Sequence, residues 1–241
     1  MAWPWLVAAD LGSARGEPCE VHHVTMIPMG SRVVDYAISK VEASRPDLVL
    51  VPLGSYVAAI RTVGERVRRR YGERAHRIFR RLEVRFEART GNRAGVPGSA
   101  NRWGRRLLRR VIGTEAYTTL DEVAAVYEEL LRRLSQHEGL PVLVLAEPRW
   151  PAWVDRENAG ANTIFDELCR RTRLVADRRR MLWADCEPLF ALAANRDALY
   201  LSDGVHKSAH GARLQAQAVL AALREAGAGF PPEPGGDGSG T

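Results

Sequence analysis

Apolar positions along this chain follow two rhythms, and the two alternate. Nearly continuous apolar runs at 20–27, 47–53, 141–146 and 180–184 have the length and composition of strands buried on both faces. Between them apolar residues recur every three or four positions, which predicts helices over 33–44, 120–136, 162–177 and 209–226. The punctuation agrees. Pro46 stops the first of these helices, and Thr119-Leu-Asp-Glu122 is a capping box ahead of the second, with Gly139 and Pro141 closing its far end. Strand and helix in regular alternation predict an α/β domain, an open parallel sheet with helices on both faces.

Two stretches break the rhythm. Residues 61–113 are rich in arginine and predict a helical insertion, interrupted at Thr90-Gly-Asn-Arg-Ala-Gly-Val-Pro-Gly98. Residues 229–241, rich in Pro, Gly and Ser, predict a disordered tail, which leaves 1–228 as one domain. A chain of 241 residues with 46% hydrophobic positions is long enough to bury one substantial core and short for two.

Charge adds less than its sum suggests. The net charge is +6, but the insertion carries seventeen Arg against four Glu, a local +13, so the remainder is near −7. Only Lys40 and Lys207 are lysine, a skew that GC-rich coding alone produces. The insertion therefore reads first as a solvated lid or cap, and second as a basic amphipathic contact with an anionic membrane surface. No nucleic-acid-binding motif accompanies the arginines, which argues against that class. No apolar run reaches membrane-spanning length, and the opening ten residues lack a signal-peptide pattern. This reading places the chain as given in the cytoplasm, unless a missing N-terminal segment carried a leader. Cys19, Cys169 and Cys186 are too few and too scattered for a disulfide framework or a zinc site.

The candidate chemistry sits near the last helix. In Tyr200-Leu-Ser-Asp-Gly-Val-His-Lys-Ser-Ala-His-Gly, Asp203 and His206 stand three apart. A histidine acting as a base needs a carboxylate on its other ring nitrogen, to set the tautomer and stabilise the imidazolium. The bland alternative is that Asp203 caps the helix. Two histidine pairs invite a metal reading and fail it. His22 and His23 would face opposite ways along a strand, and His206 and His210 have no third ligand.

The Asp-x-x-His block with Gly204 inside it and Gly211 downstream resembles the last block of the SGNH/GDSL hydrolases. Val24-Thr-Met-Ile-Pro-Met-Gly30 is similar to that family's second block, and Pro46-Asp-Leu-Val-Leu-Val-Pro-Leu-Gly54 to its third, although Tyr56 replaces the family's asparagine. Residues 141–148 and 180–190, with Asp185, look like its fourth and fifth strands. The resemblance implies a flavodoxin-like doubly wound sheet and an ester or acetyl hydrolase without a cofactor. In it His206 is the base and Asp203 its orienting carboxylate. The Gly30 N–H, with Gly54 or Tyr56, would form the oxyanion hole. The substrate would be a small-molecule, lipid or carbohydrate ester.

One block is absent. The family's nucleophile lies in Gly-Asp-Ser at the end of the first strand, and this chain opens on Trp3-Pro4, which looks like the helix after it. In strand order 2-1-3-4-5 that first strand is central. Losing its ladder, at roughly 1 kcal/mol net per hydrogen bond, together with the strand's burial, would rival a total stability of ~5–15 kcal/mol. The sequence therefore predicts a misassigned start codon or a truncated gene, with a catalytically inactive ligand- or partner-binding module as the alternative. Ser13, Ser31 and Ser55 each follow a glycine, and each reads first as a turn or capping residue. Glu147, Trp150 and Trp153 follow the third predicted run at the sheet edge where ligands bind, as pocket lining or as core.

Overall fold

The computed structural model of the chain describes residues 2–91 and 110–227. Three parallel strands form the sheet: β1 (Val49–Leu53), β4 (Val142–Ala146) and β5 (Leu182–Asp185), in the order β1-β4-β5. Seven helices and helical turns of the α/β body surround it: α1 (Trp3–Arg15), α2 (Arg32–Ser44), α3 (Tyr56–Ala59), α5 (Leu120–Leu134), α7 (Ala161–Arg178), α8 (Glu187–Ala191) and α9 (Ala209–Glu225), with α6 (Ala152–Glu157) beside them. β4 is buried at all five positions because both of its faces are covered. Val142 and Val144 join Val34, Ile38, Val123, Leu130 and Leu168 under α2, α5 and α7. Leu143 and Leu145 join Val7, Val219, Leu220 and Leu223 under α1 and α9. The result is a doubly wound, three-layer α/β fold.

Most of the helix ends follow the local signals. Pro4 sits in the first turn of α1, and Gly16 ends that helix in the left-handed region at φ 73. Thr119 and Glu122 form the reciprocal capping box at the start of α5. Arg45, at φ 45, turns the chain out of α2 ahead of Pro46.

The run at 20–27 is not a strand. It pairs with nothing, and His22, His23, Thr25 and Ile27 are exposed. Apolar patterning makes a segment compatible with a sheet, but a strand exists only where a neighbour accepts its ladder. Among the described residues no strand lies beyond β1, so the segment has nothing to pair with.

That free edge of β1 has a particular finish. Val49 donates its N–H to Pro141, which turns 49, 51 and 53 toward β4 and Leu48, Leu50, Pro52 and Gly54 away from it. Pro52 has no N–H to offer on that side, as is usual for proline on an edge strand. Its carbonyl accepts from the Tyr127 hydroxyl at 3.2 Å, and the same hydroxyl accepts the Gly54 N–H at 2.9 Å. One phenol on α5 thus takes the two places that a single residue of a neighbouring parallel strand would fill.

The insertion leaves and rejoins the body through a short antiparallel ladder, β2 (Arg61–Thr62) with β3 (Glu115–Ala116). Its long helix α4 (Val63–Gly91) is broken at Gly72, where φ is 82 and ψ 175. At its base the charge is internally compensated. Glu65 is buried and pairs with Arg68 and Arg69, while Glu115 pairs with Arg66 and Arg69. Most of the glycine-rich break at 90–98, and the tail at 229–241, lie outside the described residues. No helix among the described residues is long and apolar enough to cross a membrane.

Candidate active site

The loop from Leu201 to Ser208 enters from a 3-10 turn (Arg196–Leu199) and leaves into α9. Its ends are clamped by an antiparallel bridge between Tyr200 and Lys207, with N–H donation from Leu201 to the His206 carbonyl at 2.8 Å. Inside it Asp203 makes an Asx turn. Its Oδ1 accepts the N–H groups of Val205 at 2.9 Å and His206 at 3.0 Å. Gly204 supplies the left-handed backbone the turn requires, at φ 68, and it is buried against Trp153 and Val154 of α6.

The turn leaves Oδ2 free to meet the imidazole. His206 Nδ1 lies 2.6 Å from Asp203 Oδ2. A carboxylate only accepts, so Nδ1 carries a proton, and in the neutral ring Nε2 is then the nitrogen that presents its lone pair. Burial pushes the Asp203 carboxyl up, but the His206 hydrogen bond and the two backbone N–H groups outweigh it and hold the carboxyl below its usual range. The His206 side chain is 73% exposed, so Nε2 is open to an approaching group. Asp203 does not cap the final helix. That position is Ser208, whose hydroxyl accepts the Gly211 N–H.

Tyr56, the first residue of α3, stands near this pair. Partial burial, then the fields of Tyr117 and Asp203, push its phenol up, so it remains an O–H donor at neutral pH. It stacks on Tyr117 with ring centroids 6.3 Å apart. Gly54 lies two residues before it, and its N–H is held by Tyr127. Gly30, at φ 76, is exposed in the loop ahead of α2, and among the described residues nothing joins it to Asp203 or His206.

The serines fall elsewhere. Ser55 is buried, and its hydroxyl accepts from the Trp150 indole at 3.3 Å. Ser13 lies within α1, bonded back to the Ala9 carbonyl, and Ser31 precedes α2. Among the described residues no hydroxyl is hydrogen-bonded to His206. Two of the thiols are poor nucleophiles, since burial first, then the field of Asp185, pushes Cys169 up to about 12, and burial pushes the Cys186 thiol up as well. Among the described residues no cluster of three or more His, Cys, Asp or Glu could hold a metal ion.

Around the site runs a charged frame that sequence reasoning missed. The loop after β4 is tied down by Arg149 to Asp166 and by Glu187, which accepts the Arg149 N–H and pairs with Arg196. The Tyr200 hydroxyl and Arg196 both donate to the Arg149 carbonyl. Each partner is far away in sequence, and one Arg among so many carries no signal of its own.

No known protein-family profile matches the chain, and no curated protein matches it either. Solved structures do. Three structures described as catalytic mutants of Axe2, an acetylxylan esterase from Geobacillus stearothermophilus, align over 92–95% of this chain and 81–82% of theirs, with TM-scores of 0.56 at 14–16% identity. LAE5, an alpha/beta hydrolase enzyme from the metagenome of Lake Arreo, Spain, aligns over 92% of this chain and 81% of its own at TM-score 0.56 and 16% identity. What is shared is the fold. The three Axe2 substitutions change a serine, an aspartate and a histidine to alanine, the last two being three positions apart.

Proposed function

We propose that the chain is the scaffold and base pair of an ester hydrolase acting on acyl or acetyl esters. The observation that carries this reading is the Asp203–His206 pair, oriented at 2.6 Å with the second imidazole nitrogen exposed. His206 Nε2 takes the proton of an attacking serine hydroxyl as the hydroxyl adds to the ester carbonyl, and later returns it to the leaving alcohol. Asp203 keeps the imidazole in the required tautomer and balances the imidazolium. The Tyr56 O–H is the donor for the oxyanion, since the Gly54 N–H is committed to Tyr127 and the Gly30 N–H serves only if its loop moves to the pair. The nucleophile is supplied by none of the described residues. The fold shared with Axe2, and the same three-residue spacing of aspartate and histidine in its catalytic mutants, support an acetylated carbohydrate as one substrate class.

A second reading, a non-catalytic ligand-binding module on the same fold, is favoured by the edge of β1. Pro52 and the Tyr127 hydroxyl close the place where a serine-bearing strand would pair. Turnover of p-nitrophenyl acetate separates the two. The hydrolase reading expects hydrolysis that falls ~10³-fold or more in His206→Ala. Hydrolysis unchanged by that substitution, or no hydrolysis even when a serine-bearing strand is supplied to the chain, rejects it.

A further inference from the structure

We infer that Lys207 and Glu147 form a positioning strut for the Asp203–His206 pair, a role that rests on the reading of that pair as functional. Lys207 follows His206 directly, yet its side chain is only 9% exposed. An ammonium is costly to bury unless it is paired. Its Nζ lies 2.6 Å from Glu147 Oε2 and donates to the Val205 carbonyl at 3.3 Å. The rings of Tyr200 and Trp150 flank the ammonium, their centroids at 5.5 and 5.9 Å.

Each contact has a consequence for the pair. Glu147 is the first residue after β4, the most buried strand, so the ion pair fastens the loop to the rigid centre of the sheet. Val205 donates its N–H to Asp203 Oδ1, and its carbonyl is the one Lys207 holds. The same peptide segment thus links the strut to the carboxylate that orients His206. On the other side of the histidine, the His206 carbonyl is fixed by Leu201. Withdrawing Lys207 leaves the outer half of the turn without its anchor.

Residue choice points the same way. In a chain whose other cations, Lys40 apart, are all arginine, a lysine stands here. A compact ammonium on a flexible stem fits between two ring faces while reaching a carboxylate and a carbonyl, whereas a planar guanidinium spreads its donors in a wide fork.

The experiment is proton NMR of the full chain, reading the low-field Nδ1–H resonance of His206, identified by its loss in His206→Ala. The variants are Glu147→Gln, Lys207→Met and the double variant, which strands no charge in the interior, with Lys40→Met as control. The expected result is a resonance present in the parent and in Lys40→Met but lost or moved upfield in all three strut variants, with far-UV circular dichroism unchanged. A resonance that persists unshifted in the double variant overturns the strut while leaving the pair intact. Its absence from the parent overturns the pair, and the strut with it. Should Lys207→Met fail to fold, Glu147→Gln, an isosteric change, decides by the same signal.

Discussion

The hydroxyl of Tyr127 stands in for a strand beside Gly54. It accepts that residue's N–H at 2.9 Å and, through its own proton, serves the Pro52 carbonyl two residues earlier. In a parallel ladder those two groups belong to a single residue of the neighbouring strand. The substitution ends the sheet at β1, and it removes the Gly54 N–H from any role in binding an oxyanion.

Replacing Tyr127 by Phe keeps the buried ring and leaves both backbone groups unserved. The expected cost is about 1–2 kcal/mol, read from urea unfolding, because partly buried polar groups lose their partner with no new cavity formed. Burial pushes the Tyr127 phenol well up. The unfolded chain therefore releases its proton first, and stability falls as pH rises above about 10. In Tyr127→Phe that alkaline fall is shallower. An equal slope in parent and variant would assign it to Tyr200 and Tyr56.

A second expectation concerns Gly204. A β-carbon there would come under 3.0 Å from both Trp153 and Val154, at a φ of 68 that side chains resist. Gly204→Ala must open the Asx turn or displace α6. The thermal midpoint should drop by several degrees, on the order of 1–3 kcal/mol for the strained backbone alone, and any esterase activity should fall with it. A fully active, equally stable Gly204→Ala would show that the turn does not hold the pair.

Local signals and long-range geometry differ sharply in how far the sequence reveals them. Strands β1, β4 and β5, the helices α2, α5, α7 and α9, and the capping box at Thr119 were legible because period and caps are local properties. Asp203 and His206 were legible because three residues bring them together. The run at 20–27 misled because its apolar content says nothing about whether a partner strand exists. Ser13 reads as a turn or capping residue, whereas α1 continues to Arg15 and encloses it. Glu147 and Lys207 are sixty residues apart. Neither carries a motif, so only the fold could join them.

Ser55 supplies a sharp control on the nucleophile. It follows Gly54 near the carboxyl end of β1, but it is buried beneath Trp150, whose indole it accepts. Ser55→Ala should cost about 1 kcal/mol, the net worth of one neutral hydrogen bond, and leave the rate of p-nitrophenyl acetate hydrolysis unchanged. Abolished turnover in a folded variant would instead make Ser55 the attacking residue and would require α3 to move.

The last prediction follows from the direction of the Asp203 titration. Its folded carboxyl is held below the ordinary value, because the His206 hydrogen bond and two N–H groups outweigh the desolvation that opposes them. A depressed acid contributes stability above its unfolded value, near 3.9, and loses that contribution as pH falls through the folded value. The pair should therefore persist through neutral and mildly acid solution and come apart only below about pH 4. Carbon-13 titration of the Asp203 carboxyl checks this. Its midpoint should lie below that of an ordinary aspartate and should rise in His206→Ala, where the side-chain bond is gone and the N–H groups alone oppose burial. A midpoint indifferent to His206 would mean that the turn, and not the imidazole, stabilises the carboxylate, and the base would then lack its orienting partner in solution.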